Sequence, residues 1–115
     1  MTDIGITVRA DDVPDLLGTL VRLIAPVRVM RTEPGHRLIA DLGYHSLAVA
    51  ELGFTLEDLF RVETFSPETA MTVERVEDVT ELIRRYLAEG DACLPECSEV
   101  DAVFARYGAS WSALR

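Results

Sequence analysis

The sequence predicts an all-α fold, a small four-helix bundle with a long first loop. Apolar residues recur at helical spacing in three separate stretches, which indicates three amphipathic helices. The chain has 115 residues, of which 49% are apolar, and this suits one domain with one modest core. We expect residues 1–91 to form the bundle and residues 92–115 to be a C-terminal extension with one extra helix.

The first helix is predicted to begin after Asp12, a favoured N-cap type, with Pro14 in its first turn. Its apolar face consists of Leu16, Leu17, Leu20, Leu23 and Ile24. Pro26 is expected to end it. Residues 4–9 alternate weakly before this helix, and residues 27–45 form a long connection after it, with apolar residues that indicate packing across the core.

A second helix is predicted to begin at Ser46. Its apolar side carries Leu47, Ala50, Leu52, Leu56, Leu59 and Phe60, and its polar side carries Glu51, Thr55 and Asp58. A short helical segment follows from Ser66 through Met71. The last bundle helix contains Val76, Val79, Leu82, Ile83, Tyr86 and Leu87, and Gly90 is placed to end it.

In the extension, Ser98 and Asp101 resemble the start of a capping box. The residues of an apolar stripe follow at helical spacing: Val100, Val103, Phe104 and Tyr107. The stripe must be buried, either against the protein's own bundle or against a partner.

Composition excludes several classes of function. The net charge is −9, and all eleven cationic residues are arginine, so nucleic acid and anionic membrane surfaces are unfavourable partners. A basic protein partner is favoured by charge. Cys93 and Cys97 are too few for a disulfide framework or a zinc site. No secretory signal or membrane-spanning run is visible, so we expect a cytoplasmic protein with no metal.

Ser46 allows three chemical interpretations. A nucleophilic serine needs an oriented base within hydrogen-bond reach, but adjacent helix residues such as His45 do not face each other. His36 is the only other histidine. Alternatively, Ser46 is simply the N-cap of its helix. The third interpretation is a modification site, because a helix N-terminus tolerates a phosphate group well.

Residues 38–60, LIADLGYHSLAVAELGFTLEDLF, resemble the signature of acyl carrier proteins and the related peptidyl carrier proteins. The family pattern is approximately D-L-G-x-D-S-L, then an E-L pair, then L-E-x-x-F. The matching residues are Asp41, Leu42, Gly43, Ser46, Leu47, Glu51, Leu52, Leu56, Glu57 and Phe60. Residues 72–83 resemble the last helix of the family, and the resemblance covers approximately residues 13–89.

The resemblance implies a four-helix carrier-protein bundle that is not an enzyme. It implies that Ser46, flanked by His45 and Leu47, receives 4′-phosphopantetheine from coenzyme A through a separate phosphopantetheinyl transferase. The thiol of the arm then carries acyl or polyketide intermediates as thioesters, in fatty-acid-like or secondary-metabolite biosynthesis. Tethering raises the effective concentration of the cargo at each partner enzyme.

His45 departs from the acyl-carrier pattern, which usually has aspartate at this position. Histidine there is common in peptidyl carriers, so a discrete peptidyl (aminoacyl) carrier of nonribosomal peptide synthesis is the alternative within the family. An unmodified carrier-like protein-interaction module is the alternative of another class. The absence of lysine indicates a GC-rich bacterial genome, in which free-standing carriers serve secondary metabolism.

The predicted docking surface lies on the second helix and its flanks. Residues 41–91 contain twelve acidic residues and four arginines. Glu51, Glu57 and Asp58 are the candidate contacts for acyl-loading ligases or synthases with basic patches, and such contacts weaken with salt. Phe54 is either an apolar contact of the same surface or a core residue.

Overall fold

Five α-helices account for most of the chain that the structure, a computed structural model, describes, namely residues 6–111. They are α1 (Val13–Ile24), α2 (Ser46–Phe60), α3 (Pro67–Met71), α4 (Val76–Ala88) and α5 (Cys97–Ala105). Within the described range there is no β-strand, only two isolated bridges. The all-α prediction is therefore confirmed. The alternation predicted for residues 4–9 lies partly outside the described residues.

Helix α1 packs against both α4 and α2. Its buried face is the predicted one, with Val13 and Val21 added and Leu23 only partly buried. A short 3-10 turn, Ala10–Asp12, leads into the helix, and the Asp12 side chain makes no capping hydrogen bond. At the other end Ala25 turns into an extended conformation, as a residue before proline prefers, so Pro26 ends the helix as predicted.

Helices α3 and α4 begin with side chains that satisfy free backbone N–H groups. Ser66 Oγ accepts a hydrogen bond from the Thr69 N–H at 3.1 Å. The Asp78 carboxylate accepts from the N–H groups of Arg75 and Glu74, at 2.8 and 2.9 Å. Gly90 has a positive φ of 81° just after α4, which confirms its predicted place at the end of this helix.

The N-cap of helix α5 lies two residues earlier than predicted, and it is a different residue. Glu96 is the N-cap residue, and the Glu99 carboxylate accepts a hydrogen bond from the Glu96 N–H at 2.9 Å. The prediction of a capping box formed by Ser98 and Asp101 was therefore wrong. The preceding backbone fixes the start, since the Cys97 N–H donates to the Ile6 carbonyl at 2.9 Å and the Val8 N–H to the Pro95 carbonyl at 2.8 Å.

The C-terminal extension packs against the protein's own helices. Val100, Val103 and Phe104 are buried with Trp111 in one core that also contains residues of α1, α2 and α4. The rings of Phe104 and Trp111 pack edge to face, and their centroids lie 5.9 Å apart. Of the two alternatives for the apolar stripe, the structure shows burial within the chain.

This packing changes the predicted polar side of α2. Thr55 was predicted there but is 6% exposed, and its hydroxyl donates to the Glu51 carbonyl at 2.7 Å. That prediction was wrong because α5 packs against α2. Leu47, predicted on the apolar side, is 73% exposed, whereas the next residue, Ala48, is buried in the core; the first turn of α2 therefore turns Ala48 and not Leu47 towards the core.

Candidate modification site at the start of helix α2

The turn that leads into α2 is closed by Asp41. Its carboxylate accepts a hydrogen bond from the Arg37 backbone N–H at 2.7 Å and lies 3.3 Å from the Arg37 guanidinium. These bonds to Arg37 lower the pKa of Asp41 because they favour the ionised carboxylate. The N–H groups of Asp41 and Leu42 both donate back to the Arg37 carbonyl. Asp41 therefore has a structural role in this turn.

Gly43 and Tyr44 attach the same turn to α1 and its following loop. Gly43 has a φ of 74°, and a Cβ atom at this position would lie 2.5 Å from Val27 Cγ2. Tyr44 is buried, and its hydroxyl donates to the Val21 carbonyl at 2.7 Å. Burial raises the pKa of Tyr44 above its usual range. The backbone two residues before Ser46 is thus anchored in the core.

His45, and not Ser46, is the N-cap of α2. His45 is extended, and its Nδ1 atom accepts a hydrogen bond from the Ala48 N–H at 3.2 Å. The interpretation of Ser46 as the N-cap was therefore wrong. An imidazole nitrogen here takes the place of the hydroxyl oxygen that usually caps a helix.

Ser46 is the first residue of α2 and is exposed to solvent. No residue in the range 6–111 forms a hydrogen bond with its hydroxyl. The histidines are engaged elsewhere: Nδ1 of His45 caps the helix, and Nδ1 of His36 accepts from the Glu33 N–H at 2.8 Å. Thus no described residue provides a base that is hydrogen-bonded to the Ser46 hydroxyl. The hydroxyl is accessible to an enzyme that would modify it.

The four predicted docking residues occupy different environments. Phe54 is 69% exposed, so it is not a core residue. Asp58 is exposed, whereas Glu57 is half-buried and accepts a hydrogen bond from the Phe65 N–H at 2.9 Å. Glu51 is exposed but accepts a hydrogen bond from the Tyr107 hydroxyl. Only Phe54 and Asp58 therefore present side chains without such internal bonds to described residues.

An apolar cavity of about 570 Å³ lies between α2, α3, α4 and the turn at residues 37–40. Several of its apolar lining side chains are unusually exposed: Ile39, Val49, Phe54 and Met71. Polar side chains also line it, among them Arg37, Glu57 and Glu74. This cavity could hold an apolar chain.

A second, shallower and more open groove lies on the other side of Phe54, between α2 and the residues that follow α5. We call it the extension groove. The residues that line it include Leu47, Glu51, Phe54, Arg106 and Tyr107. Burial and the neighbouring Glu51 raise the pKa of Tyr107 to about 12, so its hydroxyl stays protonated and keeps donating to Glu51. Sequence reasoning missed this contact, because nothing in the apolar stripe shows which helix it covers.

Other kinds of site find no support among residues 6–111. No cluster of three or more histidine, cysteine, aspartate or glutamate side chains there could hold a metal ion. No helix in that range is sufficiently long and apolar to cross a membrane. A scan against protein-family models finds no matching family, and a search of curated proteins finds no significant match.

Proposed function

We propose that this protein is an acyl carrier whose Ser46 holds a 4′-phosphopantetheine arm through a phosphodiester. The observation that carries the proposal is the position of Ser46. Its hydroxyl is exposed at the first residue of α2, on a backbone that Gly43 and Tyr44 anchor to the core. A modifying enzyme thus meets an accessible hydroxyl in a fixed place.

The start of α2 suits a phosphodiester. The first N–H groups of a helix lack partners within the helix, and its dipole favours negative charge there. Helix α2 has 15 residues and no acidic residue in its first turn. No carboxylate of that turn therefore competes with a phosphodiester for the free N–H groups. His45 satisfies only the Ala48 N–H.

The apolar cavity supports an acyl cargo. It opens beside α2, and Val49 and Phe54 of that helix form part of its wall. An apolar chain at the end of the arm would cover Ile39 and Met71, which are now 72% and 86% exposed. Burial of apolar surface of this kind is favourable by about 25 cal/mol per Å². A small aminoacyl group would gain less from it, so the cavity favours the acyl over the peptidyl alternative.

Partner enzymes would contact the exposed part of α2. Leu47 and Phe54 offer apolar contacts there, and Asp58 offers a charge to a basic patch. The phosphopantetheinyl transferase is the first such partner, followed by ligases or synthases that load acyl groups. The same exposed apolar side chains are what an unmodified interaction module would need, and this is the second candidate function.

Transfer of the arm tests the proposal and separates the two candidates. The protein is incubated with coenzyme A, magnesium and a broad-specificity phosphopantetheinyl transferase, and its intact mass is measured. Ser46→Ala should gain nothing. Ser98→Ala is the matched control, because Ser98 is also exposed in the first turn of a helix, and it should gain one phosphopantetheine like the wild type. An unchanged wild-type mass with several transferases would refute the carrier function and favour the unmodified module.

A further inference from the structure

The extension groove begins next to Ser46, and among the residues that the structure describes one positively charged side chain lines it. Leu47, the residue after Ser46, lines this groove, and Arg106 lines it from the C-terminal extension. Arg106 is exposed and forms no ion pair with a carboxylate of residues 6–111. Its guanidinium is therefore available to an anionic ligand that enters the groove.

The charges that line the two cavities differ. The apolar cavity has one cation, Arg37, against the carboxylates of Glu57 and Glu74, and Arg37 already pairs with Asp41. Of the charged residues in the range 6–111, Arg106 and Glu51 line the extension groove. A phosphodiester with one negative charge is thus better accommodated in the extension groove.

The Tyr107 hydroxyl reduces the repulsion that Glu51 would exert on a phosphodiester. It donates a hydrogen bond to the Glu51 carboxylate, and the dipole of this O–H group offsets part of the field of the carboxylate. The phenol is protonated at neutral pH, since even its usual pKa of 10.0 lies well above 7, and burial and Glu51 raise that pKa further, to about 12. The Glu51 charge is therefore partly compensated where the arm would pass.

We infer that Arg106 binds the phosphodiester of a phosphopantetheine group attached to Ser46, so that the first part of the arm lies in the extension groove. The inference rests on the proposed function. A guanidinium presents a fork of N–H donors that matches two phosphate oxygens. The C-terminal extension has no counterpart in the resemblance at residues 13–89, and this contact would give it a specific role, which is to position the arm.

Nuclear magnetic resonance of the unmodified and modified protein tests this inference. Amide shifts are compared at low ionic strength, where exposed ion pairs are least screened. In the wild type, modification should shift the amide signals of Tyr107 and Gly108. Arg106→Gln should abolish these shifts, and Arg106→Lys should keep a large part of them. Arg84→Gln, which removes one exposed charge from α4, is the matched control and should behave like the wild type.

Two results would overturn the inference although the protein is modified. One is a Tyr107 amide that does not respond to modification, with the changes found at Ile39 and Met71 of the apolar cavity instead. The other is an unchanged response in Arg106→Gln. Failure of the proposed function is seen separately and earlier, as a wild-type mass that does not increase, and the inference falls with it.

Discussion

Replacement of Gly43 by alanine should destabilise the protein by two separable effects. Gly43 has a φ of 74°, and an added Cβ would lie 2.5 Å from Val27 Cγ2. Gly90 has a φ of 81°, but an added Cβ meets nothing within 4 Å. The two glycines thus share the backbone strain and differ in the clash, so Gly90→Ala is the matched control.

The expected magnitudes follow from these two geometries. A non-glycine residue in the left-handed region costs about 1–2 kcal/mol, and this is the whole expected effect of Gly90→Ala. Overpacking adds about 1–3 kcal/mol, so Gly43→Ala should cost about 2–5 kcal/mol. Val27→Ala removes the atom that clashes. Because Val27 is 45% exposed, this truncation alone should cost no more than about 1 kcal/mol.

Urea unfolding followed by circular dichroism measures these effects. With a slope of about 1–3 kcal/mol per molar urea, Gly43→Ala should lower the midpoint well below that of Gly90→Ala. In the Val27→Ala background, the effect of Gly43→Ala should shrink to that of Gly90→Ala. Equal effects of the two glycine substitutions in the wild-type background would refute the close approach of Gly43 to Val27. So would a double mutant in which the penalty persists.

Four further predictions concern the site and the extension. His45→Ala should lower stability by about 1 kcal/mol through loss of the cap, while Ser46→Ala should leave the urea midpoint nearly unchanged; the reverse would show that Ser46 is the cap. The stability from Tyr107, whose usual pKa is 10.0, is fully present below pH 10 and is lost as the pH rises through about 12, because its pKa is raised by folding. Tyr107→Phe should reduce this alkaline loss in urea titrations, and an identical pH profile would contradict it. Phe104→Ala should cost about 3–5 kcal/mol in urea unfolding, and a negligible cost would show that the extension is not part of the core. The KM of the transferase reaction should rise with salt if acidic groups on α2 guide docking, and a salt-independent KM would refute that guidance.

The sequence predicted the helices well because their apolar residues follow the helical period. The ends of α1 and α4 were also predictable, since Pro26 disfavours a helical conformation at Ala25 and Gly90 adopts a positive φ. The caps were less predictable. His45 and Glu96 are N-caps, and neither histidine nor glutamate is among the residue types that mark a helix start.

The surface of α2 could be predicted only in part. The position of Ser46 at the start of the helix followed from the sequence, as did the exposure of Asp58. The burial of Thr55 and the bond between Tyr107 and Glu51 depend on where α5 packs. Such a contact joins residues far apart in the chain, and the periodicity of either helix alone does not specify its partner.

The most direct test of the central claim is the intact mass of the wild-type protein after reaction with coenzyme A and a phosphopantetheinyl transferase, followed by fragmentation to locate the added group. A gain of one phosphopantetheine on the peptide that contains Ser46, absent in Ser46→Ala, is the predicted result. An unmodified wild type, or an added group on a residue other than Ser46, would contradict the claim that the start of α2 is the attachment site of a carrier protein.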